Sequence, residues 1–191
     1  MTLAPASCAA QVVDGLHRHG VDTLFCLPGV QNDHLFDALY DARAVLRTLH
    51  TRHEQGAAYM ALGAAMATGR PSPYCVVPGP GVLNTTAALS TAYACGAPVL
   101  ALTGQIPQRH IGRGFGLLHE LPDQLGILRS LTKWADRIRG PHEASSKIDE
   151  AFRQLRIGRP RPVALECAID VWARTAVPQP ASALPEQAPP V

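Results

Sequence analysis

Apolar and polar positions along the chain fall into two alternating rhythms. Ala10, Val13 and Leu16 share one helical face behind Ser7, whose hydroxyl suits an N-cap, and this first helix ends near Gly20. Thr23-Leu24-Phe25-Cys26 reads as a short buried strand, stopped by Pro28-Gly29. Asn32 or Asp33 opens a helix through Leu35, Phe36 and Leu39, and residues 45–50 read as a second strand. The rhythm continues with helix 55–69, strand 74–77, helix 82–95 and strand 98–102. A loop rich in glycine and histidine covers 105–120, before a short helix at 123–131 and a strand at 134–138. Pro141 stands in the first turn of a helix carrying Ile148, Ala151, Phe152 and Leu155, which Gly158 closes, and 162–167 is the last strand. Near-continuous apolar strands alternating with helices predict an α/β fold. The expected architecture is a mainly parallel six-stranded sheet, flanked by helices on both faces, in a single domain over residues 1–175. Prolines at 178, 180, 185, 189 and 190 then mark residues 176–191 as a Pro/Ala-rich, linker-like tail, as though the chain were cut between domains.

The helix at 55–69 breaks the amphipathic pattern. It is built almost entirely of Ala, Gly, Met, Leu and Tyr, with one carboxylate, Glu54, at its mouth. A helix apolar all round needs cover all round, from a core or from a partner subunit. An acid in such a place is costly to desolvate and calls for a specific partner or a chemical task.

Composition narrows the classes. Charged residues make up 17% of the 191 positions, below the usual share of about a quarter, which suggests surface covered by another domain or chain. A net charge of +2 without a basic block speaks against nucleic-acid binding. Five scattered cysteines without a C-x-x-C pair fit reduced, mostly buried thiols. No basic segment followed by an apolar run is apparent at the N-terminus, and no run reaches the length of a membrane span, so a cytoplasmic protein is expected.

In a parallel sheet, ligands bind outside the carboxyl ends of the strands. Pro28-Gly29, His53-Glu54, Pro78 to Gly81 and Thr103 to Gln105 all fall on that side, and with Asn84 they form a plausible recess for a flat, polar heterocycle. Other patterns are poorer. Gly112-Arg113-Gly114-Phe115-Gly116 does not join a strand to a helix, and no P-loop, nucleophile elbow or zinc helix is present. His119-Glu120 lacks the second histidine zinc would need, so no metal site is expected in this chain. His17 and His19 close a helix end, where solvated cations suit the dipole.

Several segments together carry a specific resemblance. Gly20-Val21-Asp22-Thr23-Leu24-Phe25-Cys26-Leu27-Pro28-Gly29, Arg52-His53-Glu54-Gln55-Gly56-Ala57 and Gly79-Pro80-Gly81-Val82-Leu83-Asn84 are similar to the thiamine diphosphate enzymes of the acetolactate synthase and 2-oxo acid decarboxylase superfamily. The likeness continues at Pro98 to Pro107, at Thr132-Lys133-Trp134 and in the closing strand, and it covers about residues 5–175. It corresponds to the N-terminal, pyrimidine-binding domain of those enzymes. The resemblance implies thiamine diphosphate as cofactor, bound through Pro28, Gly29, Glu54, Pro80, Gly81 and Asn84. It implies that Glu54 hydrogen-bonds the aminopyrimidine ring nitrogen and favours the tautomer that takes the thiazolium proton. On the substrate side it places Gln105, His119 and Glu120, with His119 a candidate acid or base toward a 2-oxo acid.

Departures from the family pattern are Cys26 for a usual glycine, Pro78 for a frequent serine, and His119-Glu120 for a common Gln-Glu. No Gly-Asp-Gly motif with a downstream asparagine appears, so magnesium and the diphosphate are expected on another domain or subunit, or across a homodimer. This chain would then be half of an active site, inactive alone. The alternative is a stand-alone binding or dimerisation domain that has lost catalysis.

Overall fold

The computed structural model describes residues 4–178. Ser7 caps the first helix as its sequence predicts, accepting from the Ala10 amide at 3.0 Å. The elements run β1 (Ala6–Ser7), α1 (Cys8–Arg18), β2 (Thr23–Cys26), α2 (Asp33–Asp41), β3 (Arg47–His50), α3 (Glu54–Thr68), β4 (Ser72–Val76), α4 (Pro80–Asn84) and α5 (Thr86–Cys95). They continue with β5 (Val99–Gln105), α6 (Gln124–Leu131), β6 (Trp134–Ile138), α7 (Ala144–Arg156), β7 (Val163–Ala168), α8 (Ile169–Trp172) and β8 (Thr175–Ala176). Six strands form one parallel sheet in the order β3-β2-β4-β5-β7-β6. The chain moves outward from β2 to β3 and then returns to place β4 on the other side of β2. That reversal makes the crevice between the carboxyl ends of β2 and β4 the topological switch point, where such sheets bind ligands.

The two faces of the sheet are packed by separate core clusters. Leu24, Leu100, Leu102, Val163 and Leu165 point to one side, against α1, α2, α7 and α8. Ala101, Ala135 and Ala164 point to the other, where Ala57, Ala58, Ala61, Ala88 and Ala92 of α3 and α5 pack close. Small residues on both partners let backbones approach, with Phe25, Leu62, Tyr74 and Leu89 as the larger side chains of this layer.

Four features differ from the sequence expectation. The second strand begins at Arg47, and Val45 lies in a turn closed by its amide on the Ala42 carbonyl. The helix expected over 82–95 is two, broken at Thr85, whose hydroxyl accepts from the buried Tyr74 hydroxyl at 2.9 Å and donates to the Val82 carbonyl at 2.8 Å. His19 is not solvated: its ring stacks on Phe152 at 4.1 Å and bonds Asp149, because α7 crosses the end of α1, while His17 is exposed as expected. A two-residue antiparallel pair, β1 with β8, joins the two ends of the described chain. Four of the five cysteines are buried, as composition suggests, and Cys95 is exposed. Among the described residues no helix is long and apolar enough to cross a membrane.

Candidate active site

Glu54 is the first residue of α3, preceded by His53, whose ring nitrogen accepts from the Gln55 amide as an N-cap. The helix N-terminus favours a carboxylate there. The Glu54 carboxylate is half-buried, and its Oε2 accepts from Asn84 Nδ2 at 2.9 Å across the gap between α3 and α4. Its Oε1 has no hydrogen-bond partner among the described residues and lies beside Gly81, where a Cβ would stand 3.7 Å from it. That same Cβ would come within 2.7 Å of Val77 Cγ2, and a Cβ on Gly29 within 2.4 Å of Val77 Cγ1. Val77 therefore sits between the two glycines and brings the Pro28-Gly29 turn against the Pro78–Gly81 turn. Of the residues expected at the cofactor, Pro28, Gly29, Glu54, Pro80, Gly81 and Asn84 thus gather on the two turns and helix ends around the β2–β4 crevice.

Gly79 is the conformational key to this turn. Its φ of 63° and ψ of −121° suit glycine alone, and a Cβ would meet the His119 carbonyl oxygen at 2.6 Å. His119, itself at a positive φ of 71°, lays its backbone on this glycine, and its Nδ1 is buried without a partner. No hydrogen bond joins His119 to Glu54 among the described residues. Glu120 turns back on its own loop, accepting from the Gly114 and Leu117 amides at 3.0 and 2.9 Å. The Leu117 amide and further loop amides hold its carboxyl below the ordinary range.

Gln105 faces the interior. Its Oε1 accepts from the Ile106 amide and its Nε2 lies 3.5 Å from Glu166 Oε2. It belongs to a buried network that the sequence motifs do not reveal. Gln124 Oε1 accepts from the Gly79 amide at 2.9 Å, while its Nε2 donates to the Gly104 carbonyl and to Glu166 Oε2. Glu166, fully buried in β7, pairs with Arg137 of β6 at 2.5 Å. A buried carboxylate needs such partners, and here they pin the Gly79 turn to the middle of the sheet. A signal for this network exists in the sequence: Glu166 is the one charge in an otherwise apolar strand.

Cys26 and Cys75, at the carboxyl ends of β2 and β4, are buried thiols. Burial pushes the Cys26 thiol up to about 12, and Cys75 moves the same way for the same reason. Among the described residues, no group of three or more His, Cys, Asp or Glu side chains could hold a metal ion.

Comparison with known proteins identifies the family of the chain. Residues 6–127 match the family described as thiamine pyrophosphate enzyme, N-terminal TPP binding domain. The chain is 36% identical over 158 residues to a probable 2-ketoarginine decarboxylase of Pseudomonas aeruginosa, covering 83% of the chain and 28% of that relative. It is 38% identical over 165 residues to an acetolactate synthase of Arthrospira platensis, covering 85% and 28%. It is 37% identical over 158 residues to the mitochondrial acetolactate synthase catalytic subunit of Saccharomyces cerevisiae, covering 83% and 22%. The chain thus spans about a quarter of the length of these relatives.

Proposed function

The chain belongs to the thiamine pyrophosphate enzymes through their N-terminal TPP-binding domain, and from that premise we propose that it is the pyrimidine-binding half of an enzyme acting on 2-oxo acids. One observation carries the reading. Glu54 presents a free carboxylate oxygen beside a glycine without a side chain, while Asn84 holds the other oxygen in place.

The residues fit the cofactor. A flat ring needs an acceptor at its edge, and Glu54 Oε1, without a hydrogen-bond partner among the described residues, offers one beside Gly81. Bound there, thiamine diphosphate supplies a thiazolium carbon that becomes nucleophilic once its proton leaves. Glu54 would hold a proton at the pyrimidine ring nitrogen, and Asn84 would fix the direction of that contact. Gly79 and Gly81 would let the turn close on His119 and Val77 beside the ring, with Gln124 and Glu166 keeping the turn rigid. His119, resting on Gly79, would face the reacting side as acid or base. Magnesium and the diphosphate would be held by a second domain or subunit. The relatives include a 2-ketoarginine decarboxylase and acetolactate synthases, so decarboxylation and carboligation of 2-oxo acids are the reaction classes proposed.

The test is Glu54→Gln in the complete assembly. Gln still meets the ring nitrogen but cannot exchange a proton with it, so deuterium exchange at the thiazolium carbon should slow by about 10²–10⁴ with the fold intact. An exchange rate equal to wild type would falsify the assignment. The 191-residue chain alone should bind thiamine diphosphate weakly and without dependence on magnesium, as calorimetry would report.

A further inference from the structure

The opposite end of the sheet carries a second, unrelated concentration of charge. A cavity of about 470 Å³ opens where β6 and β7 begin, lined by Lys133, Ile157, Gly158, Arg159 and Arg161. Three of its five lining residues are cations and none is a carboxylate. Lys133 Nζ donates to the carbonyls of Ile157 and Arg159, which spends two of its three hydrogens. Arg161 donates to the Tyr93 hydroxyl with its guanidinium 4.0 Å above that ring, and its Nε is buried without a partner. The Arg159 side chain makes no hydrogen bond or ion pair among the described residues. Burial and the positive charges of Arg161 and Arg153 hold the Lys133 ammonium below its ordinary range, so these cations act against one another.

Local structure offsets only part of this charge. The carboxyl end of α7 is met by Lys133 at Ile157, and the α5 C-cap Gly96 approaches Arg159 so closely that a Cβ there would lie 3.6 Å from Nε. Each helix end contributes about half a negative charge, so two of them against three cations leave an excess of about two. Guanidinium forks with a nearby ammonium suit a tetrahedral oxyanion, which accepts on several edges at once. We propose that this cavity is a binding site for a doubly charged phosphate group, free or as a small phosphate monoester. It is separate from the Glu54 crevice, which lies at the carboxyl ends of the strands, and does not rest on the function proposed there. A ligand here would bridge the loop before β6, the loop before β7 and the end of α5.

Titration of the 191-residue chain with inorganic phosphate, and in a second arm with glycerol phosphate, tests this at ionic strength matched by chloride. Saturable binding is expected, with amide shifts centred on residues 133 and 157–161. Arg159→Gln removes a side chain that holds no part of the fold together, and should weaken binding roughly tenfold or more. Arg161→Lys keeps the charge but loses the fork, and should weaken it as well. A response no larger than that to chloride, or one undiminished in both variants, would overturn the proposal. Saturation by inorganic phosphate but not by glycerol phosphate would support a site for the free ion alone.

Discussion

A guanidinium can only donate, so the 3.2 Å contact of Arg156 Nη1 with His19 Nδ1 leaves that nitrogen unprotonated. The ring hydrogen then sits on Nε2, facing Asp149 Oδ1 at 2.8 Å. Burial is the largest influence on His19 and pushes its pKa below the ordinary 6.5, with Arg156 and Arg18 acting in the same direction and Asp149 against them. The unfolded chain therefore takes a proton at this position before the folded one does. Stability should be unaffected by His19 well above pH 6.5 and should fall as pH drops through that value, at up to about 1.4 kcal/mol per pH unit. Urea unfolding between about pH 8 and pH 5 measures this. His19→Phe, which keeps a ring on Phe152, should flatten the slope, and an unchanged slope would show that His19 does not set it. At this scale the sequence was uneven. Glu54 stood out because nothing charged accompanies it in its helix. His19 was misread because its partners, Asp149, Phe152 and Arg156, come from α7, 130 or more positions away in the chain.

The break between α4 and α5 is held by one tertiary bond. Tyr74 is fully buried in β4, and burial pushes its phenol well above the ordinary range, so it stays a neutral donor. It donates to Thr85, which in turn donates to Val82. The two ends of this chain of bonds should respond unequally. Tyr74→Phe removes a donor and leaves Thr85 bonded, costing about 0.5–1.5 kcal/mol. Thr85→Ala orphans a buried hydroxyl and should cost more, about 1–3 kcal/mol. Urea midpoints of the two variants decide it, and a larger loss for Tyr74→Phe would contradict the donor sequence Tyr74 to Thr85 to Val82. Elements with a local cause were legible: α1 through its Ser7 cap, α7 between Pro141 and Gly158, and the turns after β2 and β4 through proline and glycine. The break at Thr85 was not, since Thr85 is ordinary in a helix until a phenol from β4 reaches it. Glu166 was visible as a charge in a strand, but its partners Arg137, Gln105 and Gln124 become neighbours only once the sheet is assembled.

As a whole the molecule is lopsided. The α3–α5 side leaves Tyr59, Met60, Met66, Leu83 and Tyr93 exposed at 37 to 61%, whereas the side covered by α1, α2 and α7 exposes Tyr40 of α2. These five lie on the neighbouring helices α3, α4 and α5, so this face should meet a second copy or another domain. Sedimentation at rising concentration should show self-association, weakened by Met60→Glu and Met66→Glu together; a clean monomer without an apolar patch detectable by dye would count against it. The β1–β8 pair has a different consequence. It brings the backbone near residue 6 beside the backbone near residue 176, so the folded region closes into a ring. A ring has no privileged starting point. A chain circularly permuted by a short bridge across that pair, and reopened in the exposed glycine turns at 112–116, should reach the same fold and melt cooperatively by circular dichroism. If it does, the domain is a transplantable cassette, able to sit inside a host protein by a single point of attachment.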